Sequence, residues 1–296
     1  MQLTKKFVKA KNPCTSGYRW FLRDQNGHGD YQQILDALVA ENRIDDANWL
    51  LDQFGPTDAV LTVDAVDANA IVFAGTLVVR MDINVDTVVR AGKSIRCGSG
   101  IKAGTDIVAG ENIHAGASII SGGHIRADGD IHAEWGIEAQ ARLECGGNLR
   151  AKWDVSIVQG ISVNGNIRVD QSILAGGSIK CDEGIKAGGR VKADHDILVA
   201  SGIQAGDSVL AGNHIETGWG ILSGSDIVAE GSIKAGEGLA AAGKIEPGSG
   251  HGVYAGLRVR LDAWAVAARV VAQTRPEQLV SGFWCEADAP HAYADA

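Results

Sequence analysis

The sequence predicts a mainly β fold: a triangular β-solenoid of about 18 residues per coil, with a small N-terminal α-helical cap domain and a C-terminal β cap. Three observations carry this expectation. Every sixth residue from Ile71 to Ile245 is Ile, Leu or Val, 30 times in succession. From Ala91 on, a small residue, most often Ala, stands two places after nearly all of them, and a Gly usually follows it. Glycine reaches 39 of 296 residues while aromatics are only 5%. A period of six fits neither a helix, which needs about 3.6, nor a lone strand, which needs about 2.

Each hexad reads as one short strand and one turn. In Ile101-Lys102-Ala103-Gly104 the Ile and Ala point to one side, Lys102 points to the other, and Gly104 permits a tight turn. Strands this short must stack to bury their faces, and small residues at the Ala slot let a narrow interior close. The residue preceding the aliphatic one sets the coil length. At intervals of 18 it reads Asn112, Asp130, Asn148, Asn166, then Gly184, Gly202, Gly220 and Gly238. These types tolerate left-handed backbone, as stacked identical turns would require. Three hexads per coil give ten coils, a rod of roughly 48 Å at about 4.8 Å per strand. Ile157, Val163 and Val169 fill three small slots in a row, so a wider or distorted coil is expected there.

The segments GSIKCDEGIKAGGRVKAD and GSIKAGEGL resemble SIKAG-type repeats of bacterial solenoid proteins of uncharacterised function. More loosely they resemble the bactofilin-like polymer-forming solenoids. Hexad-built rods are also similar to the β-helix of hexapeptide acyltransferases. There, however, the small inward residue precedes the aliphatic one; here it follows, so that family's ligand chemistry is not implied. These resemblances cover about residues 71–246 and imply architecture rather than a particular activity.

Residues 1–57 read as the helical domain. DYQQILDALVAENRIDDANWLLDQFG places Tyr31, Ile34, Leu35, Leu38 and Val39, then Ala47, Leu50, Leu51 and Phe54, at helical spacing. Asp30 and Asp45 are the expected N-caps, Gly55-Pro56 the stop, and PCTSGYRWFL a further short helix. The solenoid is assigned to 58–246. Residues 247–296 form the strand-rich cap and tail: TRPEQ is a turn, Trp264, Phe283 and Trp284 cover the last coil, and 288–296 are frayed.

Net charge −9 argues against general nucleic-acid affinity. Cys14, Cys97, Cys145, Cys181 and Cys285 are odd in number and lack a CxxC, which favours reduced thiols in a cytoplasm. No run approaches 18 apolar residues and the N-terminus lacks an apolar signal core, so neither a membrane span nor a secretory signal is expected. Cys14, His28 and Asp30 could form a thiol–imidazole–carboxylate triad, but nothing in their spacing implies a shared site. No histidine spacing suits a metal, and no GKS or GKT follows the many glycines. No cofactor and no catalysis are expected.

One pattern stands out when the chain is folded at 18. The outward residues Arg96, His114, His132, Arg150, Arg168 and Lys186 share one face, with Trp135 and Trp153 stacked one turn on. Stacked cations repel unless anions neutralise them. This row is a candidate surface for an acidic protein, a polyanion or a carboxylate, or else a solvated face paired with Asp130, Glu134 and Asp154. Leu198, Leu210, Leu222 and Val228 are outward apolar residues suited to side-by-side association. The sequence thus points to a scaffold that binds a protein partner or itself as a homo-oligomer. The alternatives are an immunity- or inhibitor-like ligand mimic and a hexapeptide-type acyltransferase.

Overall fold

A computed structural model describes residues 1–286. The expected fraying of 288–296 lies outside the described residues. The chain divides into two compact units, Met1–Asp128 and Gly129–Ala296.

The first unit opens with four helices, α1 (Lys5–Ala10), α2 (Thr15–Asp24), α3 (Tyr31–Ala40) and α4 (Ile44–Phe54). Asp30 caps α3 as expected, accepting from the Gln32 backbone N–H. Asp45 does not cap α4; Arg43 holds the N-cap position and Asp45 lies in the first turn, where its charge favours the positive helix end. Asn12, Asn26 and Asn42 follow α1, α2 and α3 with positive φ, and Gly55 does the same after α4. Left-handed residues at these points stop each helix. Trp20, Phe21, Tyr31, Ile34, Leu35, Leu38, Leu50 and Leu51 form one core with Ala70, Val72 and Ala74 of the first β coil and Val88 of the second.

From Val60 the chain winds through three parallel faces. Face A of the first unit holds strands Val66–Ala68, Ile83–Val85, Ile101–Ala103 and Ile119–Ser121. Face B holds Ile71–Phe73, Val89–Ala91, Ile107–Ala109 and Ile125–Ala127, and face C holds Val60–Val63, Thr76–Val79, Ile95–Cys97 and Ile113–Ala115. The first coil is short: Leu61 pairs with Leu77 and Val66 with Ile83, before the 18-residue register sets in at Ile71 with Val89.

Gln32 of α3 closes the exposed end of face B. Its amide donates to the Val72 carbonyl at 3.0 Å and accepts from the Ala74 N–H at 2.9 Å. A preceding strand would make the same two bonds, so the side chain stands in for the missing coil. Arg90 pairs with Asp52 of α4, and Lys93 with Asp58 at 2.6 Å.

The second unit repeats the pattern, starting with Ile131–Ala133 on face C, Ile137–Ala139 on face A and Leu143–Cys145 on face B. Ile157, Val163 and Val169 are buried, and their strands keep uninterrupted register with both neighbours. The strand pairing shows no interruption at this coil. Each large residue stacks between small ones, Ile157 between Ala139 and Ala175, for example.

Past Ile245 the parallel stacking continues although the hexad does not. Val253 pairs with Ile233, Val270 with Leu239, Leu279 with Val253, and Trp284 with Val270. The C-terminal segment therefore extends the solenoid, with loops of unequal length replacing the regular turns. Residues 274–278 form the connection before Leu279, as TRPEQ suggested. Of the aromatics expected to cover the last coil, Phe283 is half exposed while Trp264 and Trp284 are half-buried.

Two turn expectations are corrected. No residue of the hexad array has positive φ among those described; the positive-φ glycines are Gly27, Gly55, Gly250, Gly256 and Gly282. Glycine instead gives room, since a Cβ at Gly104 would stand 2.0 Å from the Asp86 carbonyl oxygen of the previous coil. The Asn/Asp column is a hydrogen-bond ladder. Asp130 Oδ1 accepts from the Asn148 N–H at 2.6 Å, Asn148 Oδ1 from Asn166 N–H at 3.0 Å, and Asn166 Oδ1 from Gly184 N–H at 3.1 Å. Each corner N–H is paired by the side chain one coil earlier.

The buried thiols belong to the same scheme. Cys145 donates to the Gly129 and Asn148 carbonyls, and Cys181 to those of Gly165 and Gly184. Val163 separates the two along face B. Burial pushes both thiols up to about 11 and raises Cys97 as well. Iodoacetamide at about pH 8 is therefore expected to spare Cys97, Cys145 and Cys181 until urea unfolds the chain. Peptide mass spectrometry of folded and unfolded samples checks this; full labelling of the folded chain would contradict the burial.

Candidate functional site

Within each unit its part of the basic row is in register. Arg96 pairs with His114 in the first unit; in the second, His132 pairs with Arg150, Arg150 with Arg168, and Arg168 with Lys186. All stand on face C, between two inward residues of a three-residue strand, so the pleat drives them outward. Beyond Lys186 the column continues as Gln204 and Leu222.

Of the carboxylates expected to neutralise the row, Glu134 does pair with one member, His132. Asp130 and Asp154 accept corner N–H groups of Asn148 and Ser172. Glu134 is bound by Lys152 and, at 2.9 Å, by His132. Among the described residues Arg150, Arg168 and Lys186 form no ion pair. The hydrogen bonds from Lys152 and His132 hold the Glu134 carboxyl down to about 2. Because the folded value lies below the unfolded one of about 4.3, the cluster stabilises the fold above that pH and ceases to do so as pH falls toward 2. Lys152→Ala is expected to raise the Glu134 midpoint, read from its side-chain carboxyl carbon by NMR; an unmoved midpoint would remove Lys152 as the cause.

Arg150, Arg168 and Lys186 line a groove of about 900 Å³ in the second unit, together with Gln204, Leu222 and Trp219. Its corner side is built by Asn148, Asn166, Gly184, Gly202, Gly220 and Gly238. The run of glycines leaves that column without side chains, and a Cβ at Gly220 would come 2.8 Å from the Gly238 carbonyl oxygen. Glu183 and Glu237 also line it. Glu183 accepts from the Asn166 side-chain amide.

The remaining predicted residues fall elsewhere. Arg96 and His114 belong to the first unit, and His132 is tied to Glu134. Trp135 and Trp153 occupy adjacent coils, the Trp153 N–H donating to the Trp135 carbonyl at 3.3 Å, but they stand on the turns leading to face A and do not line the groove. The aromatic that lines it is Trp219, 59% exposed, which the sequence reading passed over. Its signal was available: it replaces Gly165, Glu183 and Ser201 in one 18-residue column. Leu210 and Val228 pair on face A and are half-buried, whereas Leu198 is on face B and Leu222 on face C. The four apolar residues do not share one face.

Cys14 caps α2, accepting from the Gly17 N–H and donating to Asp46, while Asp30 binds the N-terminal amine and Gln32. These contacts do not join Cys14, His28 and Asp30 into a triad. No helix among the described residues is long and apolar enough to cross a membrane.

No curated protein and no solved structure matches the chain. Residues 1–54, the segment that carries α1 to α4 and the Gln32 clamp, are similar to the YdhT N-terminal domain family, whose model matches them.

Proposed function

We propose that the protein is a non-enzymatic scaffold of bacterial type, working in the cytoplasm, that binds a protein partner along face C. One observation carries the reading: Arg150, Arg168 and Lys186 stand in consecutive coils without ion-pair partners, beside an open groove. Two arginines on neighbouring strands, whose backbones lie about 4.8 Å apart, repel one another, and an incoming carboxylate relieves this through charge-assisted hydrogen bonds. The five free thiols, three of them buried in the coils, agree with a reducing compartment. Neither an acyltransferase nor an immunity-like role draws on an observation of comparable weight. Changing both Arg150 and Arg168 to Glu is expected to cut recovery of a specific partner by about tenfold or more in quantitative affinity capture. Circular dichroism should remain unchanged, since both side chains point outward. Equal recovery of the same partner by wild type and the double variant would sink the reading.

A further inference from the structure

The groove is polarised along its length. Its outward column runs through consecutive coils as Arg150, Arg168, Lys186, Gln204 and Leu222. At about 4.8 Å per coil this spans roughly 19 Å. One end carries three cations without ion pairs; the other carries Trp219 and Leu222, with Ser201 and Gln204 between. Glu237 stands at the apolar end; Glu183 stands at the cationic end, bound to the Asn166 amide and outnumbered by the three cations. An acidic ligand group is therefore attracted to the Arg150 end and repelled from the Trp219 end.

We infer that this groove of the second unit docks an extended peptide segment of a partner protein, with acidic residues over Arg150, Arg168 and Lys186 and a leucine or aromatic residue against Trp219 and Leu222. The inference rests on the partner-binding reading above and adds the chemistry and the direction of the ligand. An extended chain advances about 3.3 Å per residue, so about six residues fill the groove. The glycine column supplies the space a backbone needs to lie close to the corner. Charge complementarity favours a peptide over a nucleic acid. A phosphate backbone carries charge along its whole length, yet only three cations are present, two glutamates line the groove, and the chain as a whole is at −9. A peptide can concentrate its carboxylates at one end and place an apolar anchor at the other, as such interfaces do.

The test uses the full chain as bait for a random 12-residue peptide display library. Enriched peptides and a labelled oligo-dT are then titrated by fluorescence polarisation against wild type, the Arg150→Glu/Arg168→Glu pair, Trp219→Ala and Trp135→Ala. Sequences with clustered Asp or Glu a few residues from Leu, Phe or Trp are expected to be enriched. Their affinity should fall about tenfold or more in the double variant and in Trp219→Ala, and stay the same in Trp135→Ala. Failure to enrich any peptide, or affinity indifferent to Trp219→Ala, overturns the inference. Oligo-dT that binds more tightly than the peptides and is lost only in the double variant overturns it too, in favour of a polyanion on the basic row. Enriched peptides indifferent to both variants overturn this inference and place the peptide outside the groove. The partner-binding reading falls separately, if capture of its partner survives the loss of both arginines.

Discussion

Replacing Ile167 with alanine is expected to destabilise the protein by about 2–5 kcal/mol. Ile167 is 1% exposed and stands in a column between Leu149 and Ile185. Its backbone is fixed on both sides by the parallel ladder, and its N–H donates to the Gly184 carbonyl at 2.9 Å. The coil therefore has little freedom to collapse into the space the side chain leaves, which puts the cost toward the upper part of that range. Ala187→Leu probes the small slot in the opposite sense. Ala187 is buried and flanked by Val169 and Ala205. Three added carbons must displace Val169 or push a coil off register, at about 1–3 kcal/mol. Urea unfolding followed by circular dichroism checks both; wild-type midpoints in the two variants would show that these positions are not tightly packed.

The second large effect is expected at Gln32. Gln32→Ala strips the Val72 carbonyl and the Ala74 N–H of their partners at the open end of face B. Val72 and Ala74 are both buried, in the core shared with α3 and α4. Each group left unpaired there costs about 1–3 kcal/mol. Gln32→Glu should fall between alanine and wild type: a carboxylate still accepts from Ala74 but meets the Val72 carbonyl with another acceptor. Thermal melting reports the total, and hydrogen exchange at the Ala74 amide reports the local event. If Ala74 stays as protected in Gln32→Ala as in wild type, the clamp is not what closes this edge.

The clamp also marks where sequence reading stopped. Gln32 looked like any polar residue of an amphipathic helix, because its partners lie about forty residues away and are backbone atoms. The alternation around Ile167, by contrast, is local. Three residues suffice to say which side chain faces in, and the recurrence at 18 says which residues share a column. Hence the coil length, the inward Ile and Ala columns and the row from Arg150 to Lys186 were all legible.

The meaning of the Asn and Asp corner column was not. Its residue types suggested left-handed backbone, but the structure uses their side chains as acceptors for the next coil's N–H groups. Composition cannot distinguish these uses, since the same short polar side chains serve both. The irregular pairing at the ends of the solenoid was not legible for a related reason. A short first coil, Leu61 on Leu77, and the irregular later ones, Trp284 on Val270, are held by backbone pairing that requires no fixed spacing.

What the sequence by itself determined is thus the repeating cross-section: period, inward columns and outward rows follow from strand alternation and the need of short strands to stack. What only the tertiary structure decided is which groups from different coils converge. Trp219 belongs with Arg150 rather than Trp153 because it lies on the corner entering face C, four coils along, where a column of glycines leaves the surface open. That convergence depends on the absence of side chains between them, and an absence in space has no local mark in the chain.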